Sequence, residues 1–430
     1  MYDAIVVGAG PSGSSAARIL AEKGFKVLAL DSARFPRLKV CGGGIGWRVF
    51  RDYRGLVDVP EEYRVRANIS LFVSPSGYTV EVSASDLEGY LIPRTAFDHS
   101  LVRAAVNAGA ELREGVTVTG VVEEDSKVRV FTKSGEVVEG SVAIGADGVY
   151  SVVARSLGLQ PANWLRDNAF CPVAYVPASR PGSGEHELEF YLGFMGEGYA
   201  WIFRHYDHLN VGIGTLRKNY TVPPDKALYD FMKNNPIASR KIKLGGESVK
   251  SRYIPYNGML RRLYSRRVLL VGDAGGFVNT LTGEGIWMAM KTGELAAEAV
   301  TKALETGELL KNFRSYQRRV ETHPEIGEEL KYGRILRDMF FSSPRLFDEY
   351  ILRAREDQKL AKLLGDLVFA RKPYPELVRQ LARELPLALT SKVLASAPVK
   401  SIQLLLGYGD PYFPGEGVAS RCTYYTESSA

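Results

Sequence analysis

The glycine-rich segment from Gly8 to Gly13 (GAGPSG) constrains the fold more than any other feature of this sequence. It follows an apolar run, residues 4–7, that is typical of a buried strand, and it precedes a segment, residues 14–23, with apolar positions at helical spacing. A second apolar strand, residues 26–31, comes next and ends in an acid. Strand, glycine turn, helix and strand in this order predict the first unit of a dinucleotide-binding α/β domain.

Each glycine of the segment has a separate predicted role. Gly8 permits the tight turn, Gly10 lets a pyrophosphate approach the backbone, and Gly13 lets the helix pack on the strand. The free N–H groups at the start of the helix then face the phosphates. Asp31 is placed to accept a hydrogen bond from a ribose 2′-hydroxyl, and an acid there disfavours a 2′-phosphate, which leaves NAD or FAD.

Two later stretches favour FAD over NAD. One strand runs into Asp147 and Gly148, and another runs into Asp273, before a helix that opens near Gly285 and Ile286. Asp273 can hold a polyol hydroxyl, and the N–H groups near Gly285 and Ile286 can face an electron-rich flavin edge. Either acid alone could simply cap a turn, but the two in this order predict that the chain binds FAD.

These blocks resemble the FAD-binding superfamily typified by p-hydroxybenzoate hydroxylase, whose two later motifs read DG and GD. Two further segments, residues 39–44 (KVCGGG) and residues 199–203 (YAWIF), are similar to the K-x-C-G-G-G and Y-x-W-x-F segments of the geranylgeranyl reductases. The likeness covers roughly the first 300 residues. The chain departs from the family at Arg204, where a proline is usual, and at Glu284, where a glycine is usual.

The resemblance implies an FAD-dependent reductase that saturates C=C bonds of a geranylgeranyl chain, on an archaeal-type ether phospholipid precursor. For Arg94, an ion pair with Asp98 on the surface is the alternative to a cofactor contact. The residues that the resemblance places at the cofactor are Ser12, Asp31, Cys41, Gly42, Gly44, Arg94, Val118, Asp273, Gly285 and Ile286.

Reduction of an isolated C=C bond needs an acid, a dry apolar tunnel and a group that stabilises cationic character, which aromatic faces provide. Tyr199, Trp201 and Phe203 alternate, so on a strand their side chains share one face and form a wall for the substrate. The alternative is that these three side chains belong to an ordinary hydrophobic core between the sheet and a layer of helices. Cys41, before a helix expected near Ile45, is the candidate proton source, and a packing role with backbone contacts alone is its alternative.

The chain has 430 residues, enough for two or three domains, and the pattern predicts a Rossmann-like α/β domain within an α+β whole. The helical C-terminal pattern fits either a lid over the tunnel or an amphipathic helix on an anionic membrane. The predicted parts are a discontinuous FAD-binding domain (1–59, 86–167 and 251–310), an antiparallel-sheet substrate domain (60–85 and 168–250) and a helical C-terminal region (311–430).

Charge, cysteine content and hydropathy limit the classes of ligand and partner that the sequence predicts. A formal charge of +6 does not demand nucleic acid, and three scattered cysteines exclude a zinc knuckle, so no metal site is predicted. The chain opens directly into a strand and has no long apolar run, so we expect it in the cytoplasm or at the inner face of the cell membrane. His205 and His208, beside the aromatic strand, are expected at the surface.

Two alternatives to the reductase stay open at this point. One is a flavin monooxygenase or halogenase on the same scaffold, and the other is a prenyl-lipid or quinone carrier that keeps flavin for structure. No second complete dinucleotide motif follows the first, so both NAD(P)H and a ferredoxin-like carrier fit as the electron donor.

Overall fold

The computed structural model describes residues 1–83, 86–179, 186–341, 343–385, 391–392, 397–405 and 412. Within these residues, two large sheets and one small sheet are covered by helices. The glycine-rich segment follows a strand of the first sheet, and the aromatic segment lies in the second sheet. Along the chain, the strands of the small sheet fall between strands of the two large sheets.

The first sheet has a parallel centre that begins at the N-terminal strand. β1 (Tyr2–Val7) pairs in parallel with both β2 (Val27–Asp31) and β11 (Val137–Gly145), and β10 (Val128–Thr132) joins both β11 and β9 (Val118–Glu123) in antiparallel fashion. The strands of this sheet, in order across it, are β8 (Glu111–Glu114), β2 (Val27–Asp31), β1 (Tyr2–Val7), β11 (Val137–Gly145), β10 (Val128–Thr132) and β9 (Val118–Glu123), while β17 (Val268–Leu270) pairs with the end of β11.

Helices cover the first sheet where its strands are most apolar. The β1 strand is buried from Ala4 to Val7, as expected for a parallel strand covered on both faces. Gly13 permits the close approach of the first helix, because a Cβ there would lie 1.9 Å from the Gly8 carbonyl oxygen. The helices are α1 (Pro11–Glu22), α2 (Trp47–Tyr53), α3 (Arg94–Asn107), α4 (Val152–Ser156) and α6 (Ile286–Thr306).

The second sheet is antiparallel except for one parallel pair, β13 with β5. The helix α5 (Pro224–Asn234) packs on one face through Leu228 and Phe231. The order across this sheet is β16 (Val249–Ile254), β12 (Ala169–Pro177), β15 (His208–Leu216), β14 (Gly198–Arg204), β13 (Leu188–Leu192), β5 (Ile69–Val73) and β6 (Thr79–Ser83), and the small sheet is β3 (Gly44–Ile45), β7 (Tyr90–Leu91) and β4 (Val65–Arg66).

The C-terminal helices pack their apolar faces inward. Leu336, Phe347, Tyr350 and Ile351 are buried in one cluster with residues of the second sheet, such as Phe190. Their apolar side chains therefore pack against the second sheet, as the lid alternative predicts. No helix in the described part of the chain is apolar over enough length to cross a bilayer. These helices are α7 (Leu309–Thr322), α8 (Gly327–Phe340), α9 (Pro344–Glu356), α10 (Gln358–Val368), α11 (Tyr374–Glu384) and α12 (Val399–Leu405).

The structure differs from the sequence-based expectation at two places in the fold. The predicted boundary at residue 251 falls inside β16, which pairs with β12 of the second sheet over its whole length. The helix expected near Ile45 begins at Trp47, because Gly44 and Ile45 pair with β7 instead. Much of the tail predicted as part of the region 311–430 lies outside the described residues.

Candidate active site

One continuous cavity of about 650 Å³ joins the first sheet to the second. It begins at the turn after β1, passes the segment Lys39–Gly44 and the start of α6, and ends between β14 and the turn after α10. Ligand pockets have volumes of roughly 300–1,000 Å³, so this cavity has the size of a binding site. Its two ends differ in chemistry, and we describe them in turn.

Backbone groups line the first end. The first turn of α1 has no side-chain cap, so its N–H groups face the cavity beside Gly10 and Ser12. Asp31 is buried at the end of β2, where its carboxylate accepts hydrogen bonds from the Ala9 and Ala33 N–H groups, both at 2.8 Å. Val118, at the start of β9, lines the same end.

Arg94 forms the ion pair with Asp98 that the sequence left open, but the pair is buried rather than at the surface. The Nε and Nη2 groups of Arg94 donate to the Asp98 carboxylate at 2.7 and 2.9 Å, and Arg37 Nη1 lies 2.9 Å from it. Burial alone would raise the pKa of Asp98, but Arg94 and Arg37 hold it below its ordinary value. Both arginines also line the cavity, so one carboxylate fixes two cations there.

The two acids of the later motifs have different surroundings. The Asp147 carboxylate accepts hydrogen bonds from Ser151 Oγ at 2.6 Å and from the Val152 N–H at 2.7 Å, so it caps α4. Burial raises the pKa of Asp147. Asp273 instead lies open to the cavity in the turn after β17, with its nearest cation, Lys39 Nζ, at 3.9 Å. Asp273 is therefore the acid that is free to bind a ligand hydroxyl.

The start of α6 also lines the cavity. Gly285 is its N-cap, and Ile286, the first residue of the helix, lies at the cavity, whereas the Trp287 N–H donates to Glu284 Oε1 at 3.2 Å. Glu284, where the family has glycine, lies 3.3 Å from Arg48 Nη2. Arg48 is buried and also pairs with Glu329 at 2.8 Å, so the unusual acid has a partner inside the protein.

The segment Cys41–Gly44 is held by side chains from the second sheet. Asn210 Nδ2 donates to the Cys41 carbonyl oxygen at 2.8 Å, and His205 Nε2 donates to the Gly42 carbonyl oxygen at 2.9 Å. His205 is 1% exposed, so its predicted surface position is wrong. Burial, with a smaller contribution from the nearby His208, lowers the pKa of His205 to about 4. We call Asn210 and His205 the carbonyl clamp.

The aromatic wall is present on β14. Tyr199, Trp201 and Phe203 share one face, with ring centroids 6.0 Å apart for the first pair and 6.1 Å for the second. Trp201 Nε1 donates to Asn210 Oδ1 at 2.9 Å, so the carbonyl clamp also fixes this ring. Phe190 extends the wall, with its ring centroid 5.3 Å from that of Phe203.

The cavity ends against the turn that follows α10. Phe369 and Ala370 line it there, and Trp47 Nε1 donates to the Phe369 carbonyl oxygen at 2.9 Å. All of the sequence-predicted site residues are therefore at this cavity except Gly13, which lies behind the turn in the packing of α1. Sequence reasoning missed Arg37, Asn210 and Phe369, which carry no local motif.

The residues present fit FAD. Donors and positive charge for a pyrophosphate come from the uncapped start of α1, from the start of α6 at Ile286 and from the two arginines that contact Asp98, and Asp273 offers an acceptor for a polyol hydroxyl. Residues 41–44 and the start of α6 line the same cavity, where a planar ring would lie. The aromatic wall then lies beyond the place where such a ring would fit.

Comparison with known proteins agrees with this geometry. The family model of the FAD binding domain matches residues 1–322. The digeranylgeranylglycerophospholipid reductase of Methanocaldococcus jannaschii is 31% identical over 355 residues, which are 79% of this chain and 88% of that protein. The protein of the same name from Methanosarcina mazei is 30% identical over 401 residues, which are 88% of this chain and 92% of that protein.

Solved structures show the same fold. A geranylgeranyl bacteriochlorophyll reductase-like protein from Thermoplasma acidophilum has a TM-score of 0.75 at 22% identity, and the match covers 89% of this chain and 99% of that one. The halogenase PltM in complex with phloroglucinol and FAD has a TM-score of 0.67 at 18% identity, with 96% and 99% covered. With its sequence relatives and its matching domain, the chain belongs to the digeranylgeranylglycerophospholipid reductase family of FAD-dependent oxidoreductases.

Proposed function

We propose that the chain reduces C=C bonds in the geranylgeranyl chains of an ether phospholipid precursor. The observation that carries this proposal is the single cavity that continues from the FAD-binding end to the aromatic wall. Relatives named digeranylgeranylglycerophospholipid reductase support the choice of substrate. Bound FAD, once reduced, supplies the hydride, and the protein must supply the proton and the apolar surroundings.

The aromatic wall has two roles in this proposal. Tyr199, Trp201 and Phe203 form an apolar surface that excludes water from the prenyl chain. Their ring faces stabilise the positive charge that builds on the tertiary carbon during protonation, without reacting themselves. Tyr199 is fixed by a hydrogen bond from its hydroxyl to the Thr282 carbonyl oxygen, so the wall is held against the start of α6.

Cys41 is the proposed proton donor. Its thiol lies at the cavity, with the Gly43 N–H 3.5 Å from Sγ and the Arg94 guanidinium beside it. Both groups donate hydrogen bonds that stabilise a thiolate after the proton leaves. In the packing alternative only the backbone of Cys41 matters, and a Cys41→Ala variant then keeps its turnover, whereas the proton-donor role requires a large loss of turnover with FAD retained.

An anaerobic experiment tests the function. The FAD-loaded protein is reduced chemically and mixed with a geranylgeranylated ether phospholipid, while flavin absorbance and product mass are followed. We expect flavin reoxidation together with a gain of two hydrogens for each bond reduced, and no reoxidation by the same lipid with saturated chains. A flavin that stays reduced until air enters, followed by a hydroxylated or halogenated product, would establish the oxygen-dependent alternative. If bound lipid never reoxidises the reduced flavin, either in air or without it, the carrier alternative would remain.

A further inference from the structure

The face of the second sheet that carries the aromatic wall changes character across its strands. Trp201 on β14 lies opposite Gly212 on β15, which lies opposite Val173 on β12, which in turn pairs with Lys250 on β16. A Cβ on Gly212 would lie 2.2 Å from the Trp201 ring, so the ring lies over bare backbone. Arg252, two residues after Lys250, is on the same face. The face is therefore aromatic at one side and cationic at the edge strand.

Arg252 lies at the cavity, and no acid among the described residues pairs with it. Its Cζ atom is 5.3 Å from the centre of the Tyr150 ring. Its Nε group is buried and has no hydrogen-bond partner among the described residues. A buried donor left unsatisfied costs about 1–3 kcal/mol, and more when it is charged, so a position like this favours binding of an anion.

Lys39 adds a second cation to the same part of the cavity. Its amino group has only a loose contact with Asp273, at 3.9 Å. Burial lowers the pKa of Lys39 to about 8, Asp273 opposes that shift, and the positive charges of Arg252 and Arg94 add to it. The other acids that line the cavity are engaged by backbone donors, a helix cap or Arg48, and they are Asp31, Asp147 and Glu284.

We propose that Arg252 and Lys39 form an anion subsite that binds the phosphate of the lipid head group. This inference rests on the proposed function and adds the orientation of its substrate. Neighbouring strands are about 4.8 Å apart, so the edge strand β16 lies roughly 14 Å from the aromatic strand β14. A phosphate at β16 therefore directs the prenyl chain past Val173 and Cys171 on β12 towards the aromatic wall. An arginine side chain binds phosphate oxygens through two parallel N–H groups.

This subsite uses a different arginine from the two assigned to the pyrophosphate. Arg37 lies beside Gly10, with Nη2 3.6 Å from where a Cβ would be, whereas Arg252 Nη2 lies beside Gly148, at 3.4 Å from that position. A nicotinamide dinucleotide also carries phosphates and would be recognised by the same chemistry. The experiment must therefore distinguish the lipid head group, a dinucleotide and FAD itself as the source of the anion.

The test compares Arg252→Gln with Lys243→Gln, which removes one positive charge from an exposed residue away from the cavity. Each FAD-loaded variant is titrated with geranylgeranyl phosphate and with geranylgeraniol, which lacks the phosphate. Arg252→Gln is expected to weaken binding of the phosphate ester about 10- to 100-fold and to leave the alcohol unchanged. Lys243→Gln is expected to change neither.

Four results would overturn the subsite. They are an equal loss for both probes, an unchanged affinity for the phosphate ester, failure of the unmodified protein to bind that ester, and loss of FAD from Arg252→Gln. A raised KM for NADPH with unchanged lipid binding would assign the cations to a dinucleotide instead. Because the titration needs no turnover, a protein that binds the ester through Arg252 but reduces no prenyl chain would refute the proposed function and leave the subsite standing.

Discussion

The two ends of the cavity are built in opposite ways. At the FAD-binding end, backbone N–H groups of the turn after β1 contribute much of the surface, Asp31 holds that turn, and Gly13 behind it lets α1 pack closely. At the substrate end the surface consists mainly of side chains, and the carbonyl clamp of Asn210 and His205 fixes them by hydrogen bonds. The first end therefore depends on close packing where Cβ atoms are absent, and the second depends on side chains from strands that are distant in the sequence.

The largest effect is expected from a substitution that adds a side chain where α1 packs against the turn after β1. Gly13→Val puts a Cβ 1.9 Å from the Gly8 carbonyl oxygen, so the turn must move, at a cost of at least about 3 kcal/mol of unfolding free energy. We expect the variant to lose its FAD. Flavin content per protein chain and thermal unfolding measure both effects.

Gly55→Ala is the matched control, because nothing lies within 4 Å of a Cβ at that position. It should keep both its FAD and its stability. Full flavin content in Gly13→Val would show that the FAD-binding end does not depend on this close approach.

The second largest effect is expected from a substitution in the carbonyl clamp. Asn210→Leu leaves the Trp201 indole N–H and the Cys41 carbonyl without their partner, and both contacts are inside the protein. Two unsatisfied groups should lower the free energy of unfolding by about 4 kcal/mol. Denaturant unfolding of the FAD-loaded protein measures this loss. Asn107→Leu, at an exposed position at the end of α3, should have little effect. Equal stabilities of the two variants would contradict the clamp.

The third effect is a dependence of stability on pH. The pKa of His205 is lowered from 6.5 to about 4 in the folded protein, mainly by burial. Between these values the unfolded chain binds a proton at this residue and the folded chain does not, so stability falls as the pH falls through this window. The full contribution, present above pH 6.5, is about 3 kcal/mol.

His205→Gln keeps an N–H donor for the Gly42 carbonyl but does not titrate. We therefore expect its unfolding free energy to lose this part of the pH dependence, as measured by denaturant unfolding from pH 7 to pH 4. His99→Gln, in α3, should keep the dependence of the unmodified protein. Identical pH profiles for the two variants would show that His205 does not require a neutral ring.

The smallest effect is expected at the residue that departs from the family. Glu284→Gln removes one of two acids near Arg48, which keeps its contact with Glu329 at 2.8 Å. We expect a loss of about 1 kcal/mol in unfolding free energy, with FAD content unchanged. Glu298→Gln, which removes an exposed contact with Arg319, should cost less. A loss of FAD from Glu284→Gln would mean that this acid acts on the cofactor end rather than on the protein beneath it.

Sequence alone predicts the FAD-binding end well because its determinants are local. The turn after β1, the start of α1 and Asp31 lie within one continuous unit, and each has a residue type that few other structures require. The ion pair of Arg94 with Asp98 could also be anticipated, since the residues are four apart on a helix. The burial of this ion pair could not be anticipated, because the segment around Arg37 that covers it has no sequence pattern that predicts where it lies.

The carbonyl clamp could not be predicted from local sequence patterns, because its residues are far apart in the chain. Asn210 is 169 residues from Cys41, and His205 is 163 residues from Gly42. An asparagine in an alternating strand and a histidine near its end are common, and only the pairing of β14 with β15 brings them to the glycine segment. Asp147, which the sequence predicts as a cofactor-binding residue, lines the cavity, but its carboxylate caps α4 in the structure.

The carbonyl clamp also has a mechanical consequence. Because Asn210 joins Trp201 to the Cys41 carbonyl, the aromatic strand and the glycine segment must move together. The slot between them cannot widen by separating these two parts. Under the proposed function, a branched hydrocarbon chain would enter at the far side, where the turn at Phe369 is attached to Trp47 by a hydrogen bond. The aromatic strand would then set the alignment of that chain, and movement of the helical cover would admit it.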